Sequence, residues 1–329
     1  MNEQQIRDSY AVFCGTNHVE MSYEQYRYKH SSNPELDEDV AVFVHYEKGV
    51  PCGTNAFMSG TLYCDGISLP VTYSCDVAVL PDYQGRGIFS RILKEATDRC
   101  TEGRPQMIYA TPNGNSYPGF KKSFTELGQL ESWSVPLHPI RLGMRKLFHR
   151  THAYSSFEKE GFIDREGNEW QVSLTCPFTD EELCAVNQRP GIHLGRTAAF
   201  YRWKVDQNER SRFLYYKVTY QKRLTAFFIL QRREGELTLC DWVLPESGGD
   251  ILLKVLAKHA HAYWDILTVP MLNPKEPAYN CFKAAGWRLR KGKNPFLLYP
   301  TGVNPELWGR LCDLSGWHTC YMDFDTIMN

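Results

Sequence analysis

The residues with the clearest chemical potential are Gln84-Gly-Arg-Gly-Ile-Phe-Ser90. They follow an apolar run, Val77-Ala-Val-Leu80, and a short link, Pro81-Asp-Tyr83. They lead into Ile88–Cys100, where Ile88, Phe89, Ile92, Leu93, Ala96 and Cys100 share one helical face. A strand that turns through glycines into a helix suits a diphosphate. Glycine lets the backbone approach closely and reach unusual dihedrals. The free amides of the first helical turn, backed by the helix dipole, point at the anion. Arg86 would add a charge-assisted contact to a phosphate oxygen. A dinucleotide fingerprint would need a third glycine at position 90, which is Ser90, and it would open a domain rather than follow several strands. A Walker-type Gly-Lys-Ser/Thr is absent. The bland alternative is a tight turn capping an ordinary helix.

The elements that must hold this loop occur twice. Asp76-Val-Ala-Val-Leu-Pro81 has a counterpart in Asp241-Trp-Val-Leu-Pro245, the two prolines lying 164 residues apart. Each is followed by a helical pattern, Ile88–Cys100 and Asp250–Tyr263, and then by a short apolar strand, Met107–Ala110 and Ile266–Val269. Next come an Asn, a Tyr and a Phe, namely Asn113, Tyr117 and Phe120 against Asn273, Tyr279 and Phe282. A closing strand ends each half at Leu-x-Pro, and Ala41–Tyr46 and Phe213–Val218 start a run of antiparallel strands upstream of each. The expected architecture is α/β (α+β): two domains, 1–145 and 146–329, each a mixed, mostly antiparallel sheet flanked by helices. Lys146–Glu169 reads as the connector.

Residues 77–88, Val-Ala-Val-Leu-Pro-Asp-Tyr-Gln-Gly-Arg-Gly-Ile, resemble the acetyl-CoA-binding motif of the GCN5-related N-acetyltransferase (GNAT) superfamily, Gln/Arg-x-x-Gly-x-Gly/Ala. Gln84 and Gly87 fit that motif, and Phe89 stands where a small residue is usual. The resemblance extends over about residues 10 to 139, and the paired halves resemble tandem-GNAT proteins. It implies acetyl-CoA as co-substrate, held by Gln84, Gly85, Arg86, Gly87, Ile88, Phe89 and Ser90, with no metal. It also implies that the pantetheine arm pairs with the backbone of Val77, Ala78 and Val79, and that the Val79 N–H donates to the thioester carbonyl. Asn113 and Asn115 would bond the pantetheine or cap a helix. The slot in which the family often carries a catalytic Tyr holds Phe120, so Tyr117, one turn earlier, is the candidate acid for the leaving thiolate. Asp76 is the candidate base, with an ordinary strand-end carboxylate as its alternative. Glu126 and Glu131 are weaker candidates. The second turn, Pro245-Glu-Ser-Gly-Gly-Asp250, lacks the motif and places acidic residues where a diphosphate would lie, which is repulsive.

The formal net charge of the 329-residue chain is -1, which favours neither a nucleic-acid partner nor a membrane surface. No apolar run reaches the ~20 residues of a membrane span, and no signal-peptide core opens the chain, so a cytoplasmic protein is expected. The 11 cysteines include no Cys-x-x-Cys pair, against both a disulfide framework and a structural zinc site. Trp133, Tyr201, Trp203 and Trp242 would line an acceptor groove or fill a core. The stretch Gly316–Asp325 alternates like a strand, and its Asp323 and Asp325 would face a cationic acceptor if it folds back. The expected function is transfer of an acetyl group to a primary amine on a small-molecule or amine-bearing acceptor, an amino sugar being favoured. A non-catalytic acyl-CoA sensor or scaffold is the alternative. So is an aminoacyl transferase, whose tRNA would need a basic groove.

Overall fold

The computed structural model describes residues 2–17, 21–148, 160–206, 212–233 and 235–324. Two helices, α1 (Glu3–Asn17) and α2 (Tyr23–Ser31), precede three antiparallel strands: β1 (Val42–Glu47), β2 (Val50–Cys64) and β3 (Ile67–Val79). Then come α3 (Ile88–Glu102), β4 (Met107–Ala110), α4 (Tyr117–Phe120), β5 (Thr125–Pro136) and α5 (Pro139–Phe148). β6 (Glu160–Ile163), β7 (Glu169–Ser173), α6 (Asp180–Asn187), β8 (Ile192–Leu194) and α7 (Ala198–Tyr201) follow. The second run comprises antiparallel β9 (Arg212–Tyr220), β10 (Arg223–Arg233) and β11 (Glu236–Val243), then α8 (Gly249–Ala260), β12 (Ile266–Leu272), α9 (Tyr279–Ala284) and β13 (Arg288–Pro300), with α10 (Pro305–Leu311) beyond.

The repeated order is therefore physical. β3 and β4 pair in parallel only through Val71–Tyr73, and β11 and β12 only through Glu236–Thr238. All thirteen strands form one sheet, and its central order is β4-β13-β5-β12. The last strand of each run thus lies in the other run's half of the sheet. β13 pairs with β4, and β5 pairs with β12. Apolar residues bury both faces. Ile92, Leu93, Ala96 and Cys100 turn the inner face of α3 toward the sheet, as its periodicity predicts, and Leu252, Leu253 and Leu256 do the same for α8.

The C-terminal stretch departs from the strand expected there. It forms 3-10 turns at Leu314–Gly316 and Tyr321–Asp323, because its large side chains, Trp317, Met322 and Phe324, all turn into the core. Asp323 is buried against Arg196 and is not offered to an acceptor; Asp325 lies outside the described residues. Trp133, Tyr201, Trp203 and Trp242 are core residues.

Candidate acyl-CoA site

The site begins at an irregularity in β3. Thr54 on β2 faces Ala78 and Ala56 faces Cys75, so Asp76 and Val77 together oppose Asn55. Asp76 adopts φ 48°, a left-handed conformation unusual for a residue with a side chain. This bulge, and the end of pairing with β4 at Tyr73, leave one edge of β3 open beyond that residue. Leu80 N–H donates to Cys52 of β2 at 3.0 Å. Strand alternation then turns the backbone groups of Val77 and Val79 to the open edge. The Gln84 side-chain amide donates to the Val79 carbonyl at 3.0 Å, tying the glycine turn to the end of β3.

Past the strand, Pro81–Tyr83 form a 3-10 turn, and Gly85 (φ 76°) and Gly87 (φ 75°) carry the chain into α3. A Cβ at either glycine would meet no atom within 4 Å. Glycine is needed here for its dihedrals, while the space beside it stays open for a ligand. Gly87 is the N-cap of α3 and offers no side chain to the first-turn amides.

A cavity of about 560 Å³ runs along this edge and loop. Val77, Ala78, Val79, Gln84, Gly85, Gly87, Ile88, Phe89, Asn113 and Asn115, ten of the residues expected at the site, line it. Thr16, Tyr83 and Ser116 line it as well. Sequence reasoning missed Thr16 because α1 is distant in the chain, whereas Tyr83 and Ser116 adjoin the motif residues and their proximity was the available signal. Asn113 Oδ1 accepts from the amides of Asn115 and Ser116 at 3.0 and 3.1 Å, so of its two open roles it fills the capping one.

Five predicted residues lie elsewhere. The Arg86 guanidinium turns away from the cavity: it donates to the Asp82 carbonyl at 2.7 Å, lies 3.6 Å from Glu47 and stacks over Tyr83. Ser90 is exposed on the first turn of α3. Phe120 is buried beneath the cavity wall, edge-to-face with Phe89 at 5.9 Å.

Asp76 is no base. Its carboxylate is buried and accepts from Lys29 Nζ at 2.8 and 3.0 Å, with His30 Nε2 at 2.8 Å. Burial by itself raises its pKa, but the Lys29 charge and the His30 hydrogen bond outweigh it and hold the carboxyl well below the usual range. A group so acidic has little affinity for an amine's proton. The second half repeats the device: Asp241, beside a bulge at Cys240, is buried on Arg196 and on the Tyr201 hydroxyl at 2.9 Å. Sequence reading saw the paired aspartates but not their partners, which come from remote helices and loops.

Tyr117 also points elsewhere. Its hydroxyl donates to Glu126 Oε2 at 2.6 Å, under Lys121. Tyr279, at the equivalent position, donates to Glu131 at 3.1 Å in the half that lacks the loop. A pair found in both halves is explained by support of the short helices α4 and α9.

The second cleft is closed. Trp242 stands in the place of Val77 and packs on Phe282 and His318 at ring distances of 5.2 and 4.3 Å. Asp250 sits in the first turn of α8, ion-paired to Lys254. Two groups of side chains have metal-like spacing, His30-Cys75-Asp76 and Asp241-His318-Cys320. Each carboxylate already holds a buried cation, Lys29 or Arg196, which would repel a metal ion.

A bulged strand running through a glycine turn into an amide-rich helix end is the arrangement found in GNAT folds. Residues 1–124 match the family model described as Acetyltransferase (GNAT) domain. The whole chain is similar in fold to a GCN5-related N-acetyltransferase from Anabaena variabilis, at 13% identity and TM-score 0.64, covering 91% of this chain and 71% of that one. It is similar to a probable N-acyltransferase from Enterococcus faecalis, at 9% identity and TM-score 0.64, with coverage of 92% and 72%. It is also similar to Eis1 from Mycobacterium abscessus, at 13% identity and TM-score 0.56, with coverage of 94% and 75%. No curated protein matches the sequence. No helix among the described residues is long and apolar enough to cross a membrane.

Proposed function

We propose that the chain is a tandem-GNAT N-acetyltransferase that moves the acetyl group of acetyl-CoA to a primary amine of a small-molecule acceptor, an amino sugar being favoured. The observation that carries this reading is the cavity bounded by the open β3 edge and the Gly85–Gly87 turn. The cradle lies in the first half, about residues 1–145; the second, 146–329, serves as support and wall. The free amine attacks the thioester carbonyl, a C–N bond forms and the C–S bond breaks; the nitrogen gives up one proton to solvent, and the departing thiolate takes one up to leave as the CoA thiol. The Val79 N–H supports the developing oxyanion. A desolvated acceptor pocket would lower the amine's pKa from ~10.4 and so supply the free base. The free state of all eleven cysteines accords with a reducing cytoplasm.

Calorimetry with acetyl-CoA, paired with thiol release across an amine panel, tests the reading. Gly87→Glu forces a side chain into a left-handed position and sets a carboxylate against the diphosphate; binding should fall at least ~100-fold. Unchanged binding in that variant removes the site assignment. A second reading, an acyl-CoA sensor, is favoured by the commitment of Asp76 and Tyr117 to other partners. It requires binding without turnover on every amine.

A further inference from the structure

Three apolar side chains of α5 stand exposed. Ile140, Met144 and Leu147 fall at i, i+4 and i+7 on one face, and are 79%, 39% and 75% exposed. Neither they nor Leu142 belongs to any of the five apolar clusters of the described residues. The helix is tied down at its start: the Leu137 and His138 amides both donate to the Asp265 carbonyl, and the His138 ring lies 3.9 Å from that of His261. Its charge is one-sided. α5 contains Arg141, Arg145 and Lys146, and no acidic residue occurs between Glu131 and Glu158. Exposed Lys258, three residues before His261, extends the basic surface. The whole-chain charge of -1 hides this local run.

We propose that α5 docks on an anionic lipid bilayer. Ile140, Met144 and Leu147 would enter the headgroup boundary while exposed Arg141 and Lys258 meet lipid phosphates. A second copy fits less well, because a two-fold contact would bring two acid-free basic helices together. The short helix and modest apolar area make the attachment reversible and salt-sensitive, a peripheral contact rather than a span. It is independent of the acetyl-CoA site, so loss of either leaves the other standing.

The test is co-sedimentation of the full chain with phosphatidylcholine vesicles containing about 30% phosphatidylglycerol, against pure phosphatidylcholine. The expected result is partition onto the anionic vesicles alone, weakened on raising salt from about 0.1 M to about 0.5 M. Ile140→Gln with Leu147→Gln should lower it at least ~10-fold, and Arg141→Gln about 5-fold, with unchanged circular dichroism and thermal melting. No partition, equal partition onto neutral vesicles, or undiminished partition of the double variant would overturn the proposal. So would a dimer, detected by light scattering, that the same two substitutions abolish.

Discussion

The Phe89 ring lies directly against Gly119: a Cβ at that glycine would sit 2.2 Å from Phe89 Cε1 and 2.7 Å from Cδ1. The bulky residue at the last motif position is thus matched by a missing side chain on α4. The ring leans onto Gly119 and Phe120, so Phe89 forms part of the cavity wall and need not fill the diphosphate cradle.

Gly119→Ala should push that ring toward the cavity and weaken acetyl-CoA binding about 10-fold, within the usual cost of overpacking. Phe89→Ala added to Gly119→Ala should restore most of the affinity. Calorimetry on the two single variants and the double variant reads this as a coupling energy.

Asp76→Asn strands Lys29 in the interior and should cost about 3–5 kcal/mol of stability, seen as a lower denaturation midpoint. The pH profile of turnover, per folded molecule, should keep its shape. A profile that lost its acidic limb in this variant would reinstate Asp76 as the proton acceptor.

Tyr117→Phe removes one hydrogen bond, to Glu126, and should cost about 1 kcal/mol of stability with turnover changed less than ~3-fold. A general acid would show a loss of at least ~100-fold.

His193 gives stability a specific pH dependence. Burial, with the Arg189 charge beside it, pushes its pKa down from 6.5 to about 4. A depressed folded pKa means the unfolded chain binds the proton first. The contribution is therefore complete above pH 6.5 and is lost as pH falls toward 4, about 3 kcal/mol in all. The depressed Asp76 acts in the same direction, but only below the ordinary carboxylate range. Denaturant unfolding between pH 7 and pH 4 should show the decline, and His193→Asn should lessen it, buried His318, also depressed, contributing in the same direction.

Cutting the chain after residue 145 should abolish folding of the first half. β4 would lose its neighbour β13, and β5 would lose both β12 and β13. Size-exclusion and circular dichroism of the fragment should show an aggregated or unfolded chain. A compact monomer that bound acetyl-CoA would show the strand exchange to be dispensable.

The local devices are legible in the chain. Apolar periodicity placed α3 and α8, glycine chemistry placed the turn at Gly85 and Gly87, and the repeated Asp-to-Pro strands announced two similar runs. These depend on neighbours a few residues apart, so they are written in the chain where they act. The tertiary structure decided the rest. Whether Asp76 is a base or half of an ion pair depends on Lys29 and His30, 47 and 46 residues away. Whether Tyr117 faces a cavity depends on Glu126 across a strand, and whether Phe89 blocks the cradle depends on Gly119. The exchange of β5 and β13 was equally hidden, because an apolar strand specifies that it must be covered and paired but leaves open which of two similar sheet edges will pair with it.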